Sequence, residues 1–407
     1  MSESTRFTKS DPELVKSGYS MNLTVLLALD EASVICETLE PDDEITYFAA
    51  FCRTIRKVPS GMGFFAILVD AIPHVASFRL PVKFDPGARY GFVGEDRLFA
   101  PTYEIASFDL MAPAEPPQTW GELVSSERLF KHGLIPIFGA YYRDAIAEQQ
   151  RPEDIHNSIL ELARSKLLGP TEKTRSSAVI NVQAFAFLGP TIQPRINGAL
   201  HLNAELIAYH AAHCDHISPG CEMVMSNYPS QFTLAAAAMK FLAEESNLIE
   251  SILHAARGTG GITSRIILLR AMEAALANSS EEGVPDERPV RLVNFLKALT
   301  GKEAEDLDLG SIGTEQRRDL LDHGMIFWNH FSRIKYTPTP KELGRFMYRG
   351  MAAQYLPNQP DIDQVFPVYL QRDSDDLDVE YVSFSGIQVK IYETDTSRSE
   401  IQIITGT

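Results

Sequence analysis

Two apolar runs, each closed by a carboxylate, constrain this chain more than any other feature. Leu23-Thr-Val-Leu-Leu-Ala-Leu29 ends in Asp30-Glu31, and Gly63-Phe-Phe-Ala-Ile-Leu-Val69 ends in Asp70. Continuous apolar runs of this kind suit strands buried on both faces, the condition of a parallel sheet. Between them, Pro41 to Lys57 carries Asp42, Asp43 and Glu44 at its start and Arg53, Arg56 and Lys57 at its end. Ile45, Phe48, Cys52 and Ile55 fall at helical spacing. Acidic start, basic end and apolar stripe predict an amphipathic helix. Strand, helix, strand predicts a βαβ unit and an α/β fold.

With 407 residues the chain is too long for one core, so two or three domains are expected. Pro, Gly and aromatic residues from Pro73 to Pro117 predict irregular excursions. Residues 120–170 read as helical, with a helix over Pro152 to Leu168, and further helices are expected over 203–214, 230–245 and 262–277. Gly258-Thr-Gly-Gly261 reads as a helix-entry turn. Acidic loops, Ser279 to Glu287 and Glu303 to Asp308, flank Val290–Leu299. Thr339-Pro-Lys-Glu342 is a capping-box pattern with Pro at the first helical position. Past Pro360 the pattern becomes β: Val365–Leu370, Val379–Phe384, Ile387–Tyr392 and Ile401–Ile404. The expected division is 1–150, an incomplete parallel-sheet domain, 151–256, a helical middle, and 257–407, an α+β end.

Charge and cysteine usage exclude some function classes. Lys+Arg (37) less Asp+Glu (54) gives −17. That argues against coating a nucleic acid or an anionic membrane through the overall field. It leaves room for a local basic groove, for which Arg317, Arg318, Arg333, Lys335, Lys341, Arg345 and Arg349 are the densest set. Cys36, Cys52, Cys214 and Cys221 read as reduced thiols of an intracellular protein, cytoplasmic or nuclear. The N-terminus has no secretory signal pattern, and no apolar run reaches the roughly 18 residues that span a bilayer.

Three constellations carry chemistry. Asp30-Glu31 closes a strand of the kind that places an Asp beside Mg²⁺ and a Glu beside the attacking water in P-loop nucleotide hydrolases. The alternative is an acidic helix cap. The companion Gly-x-x-x-x-Gly-Lys-Ser/Thr is absent, so ATP binding is not expected. Asp363, with Gln388 and Lys390 about 25 residues on, is the second. Two strands of a hairpin would bring Asp363 and Gln388 to one edge as hard ligands for a divalent metal, with Lys390 on the same face. The alternative is a solvated strand. The third, His210-x-x-His213-Cys214-x-His216 with Cys221, has ligand types for Zn²⁺, but no second Cys pair or distant ligand set accompanies it, and core or surface histidine is the favoured reading.

The order of these segments resembles a largely uncharacterised fungal family related to Crinkler-type effectors. The resemblance runs through Leu26-Leu-Ala-Leu-Asp-Glu-Ala32, Phe64-Phe-Ala-Ile-Leu-Val-Asp70, Ser77-Phe78, Asp85-Pro-Gly-Ala-Arg89 and Ile137-Phe-Gly-Ala140. It continues through His210, Pro229-Ser230, Arg257 to Ala275, Phe295 to Leu299 and Trp328-Asn-His-Phe331. It ends in Asn358-Gln359, Ile362-Asp363, Pro367-Val368 and Ile387-Gln-Val-Lys390. The resemblance implies a P-loop NTPase-like module followed by a restriction-endonuclease-like PD-(D/E)xK domain. Asp30 would match the Mg²⁺-side Asp, Glu31 the catalytic Glu, and Asp363, Gln388 and Lys390 the nuclease motif, with Mg²⁺ on Asp363 and Gln388. The sequence departs from the pattern at the missing phosphate loop, at Ala71-Ile72, at Gly261 where the nuclease helix would carry Glu, and in its short C-terminal segment. It therefore reads as a truncated or degenerate member. Two function classes follow: a Mg²⁺-dependent nuclease-like enzyme acting on nucleic acid, or a non-catalytic interaction protein that keeps the fold and binds a protein partner.

Overall fold

The computed structural model describes residues 25–36, 47–55, 57–59, 63–69, 117–125, 136–169, 177–194, 200–217, 223–244, 260–278, 288–310, 312–356, 362–391 and 399–406. The chain divides into two compact units, residues 1–101 with 218–222, and residues 102–217 with 223–407.

In the first unit, β1 (Val25–Leu29) and β2 (Phe64–Leu68) pair in parallel, Val25 opposite Phe64, with α1 (Tyr47–Ile55) between them. This is the expected βαβ connection. The acidic start of its helix, the Arg53 side chain, Arg56 and Asp70 lie outside the described residues, as does the whole stretch from Pro73 to Pro117 apart from Pro117 itself. Burial differs from expectation. Ala32 and Phe48 form a small core with Leu29, Ile35, Phe51 and Leu68 against it. Val25 and Leu26 are 48% and 53% exposed. Among the described residues, α1 and the 3-10 segment Ala32–Cys36 pack against this two-stranded sheet.

In the second unit helices come first. α2 (Trp120–Val124), α3 (Pro136–Ala147), α4 (Pro152–Leu168), α5 (Ser177–Ile192) and α6 (Leu200–Tyr209) precede a hairpin of β3 (His213–Ile217) and β4 (Val224–Asn227). α7 (Phe232–Glu244) and α8 (Gly260–Ala277) follow. α4 spans the expected residues because the sequence marks both ends: Pro152 at N1, Glu153 and Asp154 in the first turn, and Gly169 at φ 69° as C-cap. The helix expected over 203–214 stops at Tyr209. Ala211, at φ 61°, turns the chain, and His213 to His216 are strand residues.

The C-terminal half builds a seven-stranded mixed sheet. Its elements are β5 (Val290–Arg291), α9 (Leu292–Thr300), α10 (Thr314–His323), β6 (Gly324–Ile326), β7 (His330–Arg333), α11 (Pro340–Arg349), β8 (Met351–Gln354), β9 (Gln364–Leu370), β10 (Val382–Ile391) and β11 (Ser399–Gly406). β9, β10 and β11 form an antiparallel meander. The other edge of β9 is shared: β8 pairs with its first half, at Val365 and Gln364, and β6 with its end, at Leu370 and Tyr369. β7 and β8 are parallel and joined through α11, a second βαβ connection. The two strands expected over 379–384 and 387–392 are one, because Val379–Tyr381 is a 3-10 turn and Val382 to Ile391 runs without a break. The expected capping box is present: the Thr339 hydroxyl accepts from the Glu342 amide, and the Glu342 carboxylate accepts from the Thr339 amide at 2.8 Å.

One large hydrophobic cluster runs from Leu123 through the helices to Phe366 and Ile387, so segments on both sides of residue 256 share a core. At its centre the Trp328 ring lies 5.1 Å from Phe331 and 5.5 Å from Phe366, with Phe295 edge-on at 5.9 Å. A second cluster, Ile334, Leu343, Phe346, Met351, Ala353 and Val365, lies under α11. Among the close approaches, a Cβ built on Gly189 would sit 2.1 Å from the Tyr228 ring, which is buried and hydrogen-bonded to the His210 carbonyl at 2.8 Å. Gly189→Ala should therefore destabilise this unit by ~1–3 kcal/mol through overpacking, read as a lower urea midpoint at unchanged m-value.

Candidate functional site

Asp363 immediately precedes β9, whose register with β10 ends at Gln364 opposite Ile387. The Asp363 amide donates to the Ile387 carbonyl at 2.8 Å, and one carboxylate oxygen, Oδ2, accepts from the Val389 amide at 2.7 Å. The side chain thus takes the place of a ladder carbonyl, while its own carbonyl accepts from Tyr355. Side chains alternate along each strand. Gln388 therefore shares the face of Val365 and Phe384, which packs on Leu343 and Phe346 of α11. The Asp363 carboxylate lies against the β10 backbone at Val389, the residue after Gln388. Lys390 occupies a β10 position of the same parity, and its side chain lies outside the described residues.

The opposite face carries Gln364, whose amide donates to the Ser264 hydroxyl at 2.6 Å, while Ser264 in turn donates to the Gly261 carbonyl. The first turn of α8, including Gly261, thus adjoins the Gln364 face and not the Gln388 face.

Asp30 and Glu31 follow the end of β1, where expected, and both are exposed. The Asp30 carboxylate accepts from the Glu31 amide at 3.0 Å, and Glu31 takes φ 51°, a left-handed conformation that costs a non-glycine residue about 1 kcal/mol. The acidic pair thus turns the chain into the 3-10 segment Ala32–Cys36. In the second unit, His210 is buried with Nδ1 at 2.7 Å from the Leu167 carbonyl, away from the strand that holds His213, Cys214 and His216. Burial pushes the Cys214 thiol up to about 11, against thiolate formation. Cys221 lies outside the described residues. Among the described residues no three His, Cys, Asp or Glu side chains converge as metal ligands.

The basic set is divided. Arg317 spends its guanidinium on the Ala304 and Leu307 carbonyls, closing the turn before α10. Arg333 and Arg349 instead line a cavity of about 270 Å³, together with Gln193, His213, Asn227, Tyr228, Pro229, Ser230, Gln231 and Ser332. No carboxylate side chain is among these lining residues. Gln193, at the end of α5, fixes the wall: its amide donates to the Tyr228 carbonyl at 2.8 Å, and its own backbone carbonyl accepts from the Arg333 guanidinium.

At the cavity edge stands a group that sequence reasoning did not single out. The Asn329 amide nitrogen donates to the Phe232 carbonyl at 3.0 Å, which turns its oxygen toward His330 Nδ1 at 2.8 Å. Nδ1 must then carry the proton, leaving the Nε2 lone pair to accept from the Ser230 hydroxyl at 2.8 Å. His330 is fully buried. Burial, with the Arg349 charge second, pushes its pKa down to about 3, so the ring is neutral at physiological pH. The Ser230 hydroxyl also lies 3.3 Å from Met351 Sδ. Pro229-Ser230 and Trp328-Asn-His-Phe331 are segments of the family resemblance, but 100 residues separate the serine from the histidine, and no local pattern joins them.

The depressed His330 pKa has a thermodynamic consequence. An unfolded histidine takes up its proton near pH 6.5, and folded His330 only near 3. The stability this neutral ring contributes is complete above about pH 6.5 and is lost as pH falls toward 3, by at most ~1.4 kcal/mol per pH unit. Urea unfolding of wild type should lose ~2–3 kcal/mol more between pH 7 and 4.5 than unfolding of His330→Gln. Parallel losses would show that the imidazole is not held neutral.

No curated protein and no solved structure matches the chain. Residues 174–400 match a family described as a domain of unknown function, DUF8736. That match covers more than half of the sequence and takes in the cavity, the Ser230–His330–Asn329 chain, Asp363 and Gln388, so the protein belongs to the DUF8736 family.

Proposed function

We propose that the DUF8736 unit is a nuclease-like domain that hydrolyses phosphodiesters with Mg²⁺, attached to a degenerate NTPase-like module of the Crinkler-related kind. The observation that carries this reading is the Asp363 carboxylate held on the β10 backbone at Val389, the residue after Gln388. A carboxylate and an amide oxygen are hard donors suited to Mg²⁺. The Val389 amide holds Oδ2 of Asp363 and leaves the second oxygen without a donor among the described residues. Asp363 and Gln388 would hold the ion, which supplies Lewis-acid polarisation of the phosphate and an acidified water. Lys390, two residues on, would balance charge at the scissile phosphate. Arg333 and Arg349 would guide the nucleic acid.

A second reading has specific support. The carboxylate that replaces a ladder carbonyl, and Gly261 adjoining the other face, also fit a domain that keeps the architecture without the reaction. Such a chain would serve as a binding surface for a protein partner.

Plasmid DNA and RNA incubated with Mg²⁺ or Mn²⁺ separate the two. Cleavage by wild type that falls at least ~100-fold in both Lys390→Ala and Asp363→Asn supports the enzyme. Equal inactivity of all three proteins supports the binding surface. For the first unit the expectation is no ATP affinity at millimolar concentration by calorimetry. Saturable binding that Asp30→Ala abolishes would overturn it.

A further inference from the structure

We infer that Ser230 is a nucleophile activated by His330, at the mouth of a pocket that takes a small carboxylic ester carrying a negative charge. The inference stands on a chain of hydrogen bonds whose direction the Asn329 amide sets, with the Ser230 proton shared between His330 Nε2 at 2.8 Å and Met351 Sδ at 3.3 Å. Asn329 is oriented by the Phe232 carbonyl, so its oxygen faces His330 Nδ1, and the imidazole must present its lone pair at Nε2 to the Ser230 hydroxyl. Nucleophile, base and orienting group at 2.8 Å steps are what serine hydrolysis needs, recognised by geometry and not by sequence order. A buried histidine that only fills space needs partners, but not one whose hydroxyl lines an open cavity.

The cavity supplies the rest. Ser230 is half-buried and is one of its lining residues, beside Gln231, whose fully buried side-chain oxygen has no partner among the described residues. Arg333 and Arg349 line the same space, and no lining side chain is acidic. A ligand with a carboxylate or phosphate group is the complement of that wall. The reaction balances without a co-reactant other than water. Ser230 Oγ attacks the ester carbonyl carbon while its proton passes to His330 Nε2. The leaving alkoxide takes that proton, and the acyl group stays on Ser230. Water then attacks the acyl carbon, giving its proton to His330 and, as the acid departs, restoring the Ser230 hydroxyl. Asn329 is a positioning residue that holds the imidazole in the productive tautomer. Burial is the larger cause that keeps His330 weakly basic, and an anionic ligand offsets the smaller one, the Arg349 charge.

The test uses the full chain and an alkyl fluorophosphonate, which reacts at activated serines by forming an Oγ–P bond and releasing fluoride. A single adduct mapped to Ser230 by peptide mass is expected, lost in Ser230→Ala and slowed at least ~100-fold in His330→Gln. Asn329→Asp should move the acid limb of the labelling-rate profile to higher pH, since a carboxylate beside Nδ1 raises imidazole basicity, with Arg349 opposing it. Hydrolysis of the mono-p-nitrophenyl ester of succinic acid should exceed that of the neutral butyrate ester, and Arg349→Gln should raise KM for the succinate ester alone. No adduct at Ser230 in folded wild type overturns the proposal, whatever the variants do. An adduct that forms at an equal rate in folded His330→Gln, checked by circular dichroism, removes the base. Equal turnover of the two esters overturns the anionic specificity.

Discussion

The rings of Trp328, Phe295, Phe331 and Phe366 are the packing on which the DUF8736 unit depends. They come from α9, the β6–β7 link, β7 and β9, and meet edge-on or tilted at 5.1–5.9 Å, the arrangement aromatic quadrupoles favour. All four are fully or almost fully buried. Because Trp328 and Phe331 enclose Asn329 and His330 in sequence, the same rings that fill the core set where the amide and imidazole can stand. The backbone finishes the placement: the Asn329 amide donates to the Gly350 carbonyl at 2.9 Å, and Gly350, at φ 63°, lies so close to Phe232 that an added Cβ would meet its ring at 2.6 Å. Polar geometry is thus held by apolar packing.

The sheet separates two chemistries by parity. One face of β9 and β10 carries Val365, Phe384 and Gln388 toward α11, the other carries Gln364, Ile387 and Val389 toward α8 and the main core. Two polar groups on the buried face are neutral amides that bond to backbone or hydroxyl: Gln354 to the Ile192 carbonyl and Gln364 to Ser264. Neutral donors satisfy helix-end carbonyls there without the desolvation penalty of charge. The cations Arg333 and Arg349 are kept at the cavity, where water or a ligand can reach them.

What was legible in the sequence follows range. Signals that act within one turn came through: Pro152 and Gly169 bound α4, and Thr339 and Glu342 bound the start of α11. That the Asp363 segment meets β10 near Gln388 was readable because the two stretches follow each other in one meander. His213 to His216 misled, since none of these residues favours a strand, aspartate least, and the strand exists through its partner β4. The apolar runs of β1 and β2 announced strands and their parallel pairing, but not how much of them is covered, which depends on what packs outside the strand. The Ser230–His330 contact was beyond reach, because its energy is tertiary and its two residues lie 100 positions apart.

The βαβ connection that runs from His330 through α11 to Gln354 has a kinetic corollary. Short-range contacts close early, and distant ones wait for the loop entropy between them to be overcome. That connection brings His330, Arg349 and Met351 together within one short stretch, whereas Ser230 must arrive from the far side of four helices, α7 to α10. A chain arrested midway would own an imidazole facing no hydroxyl. The contact between them is therefore a late milestone of assembly, and nothing of the pocket's chemistry can precede the completed tertiary structure.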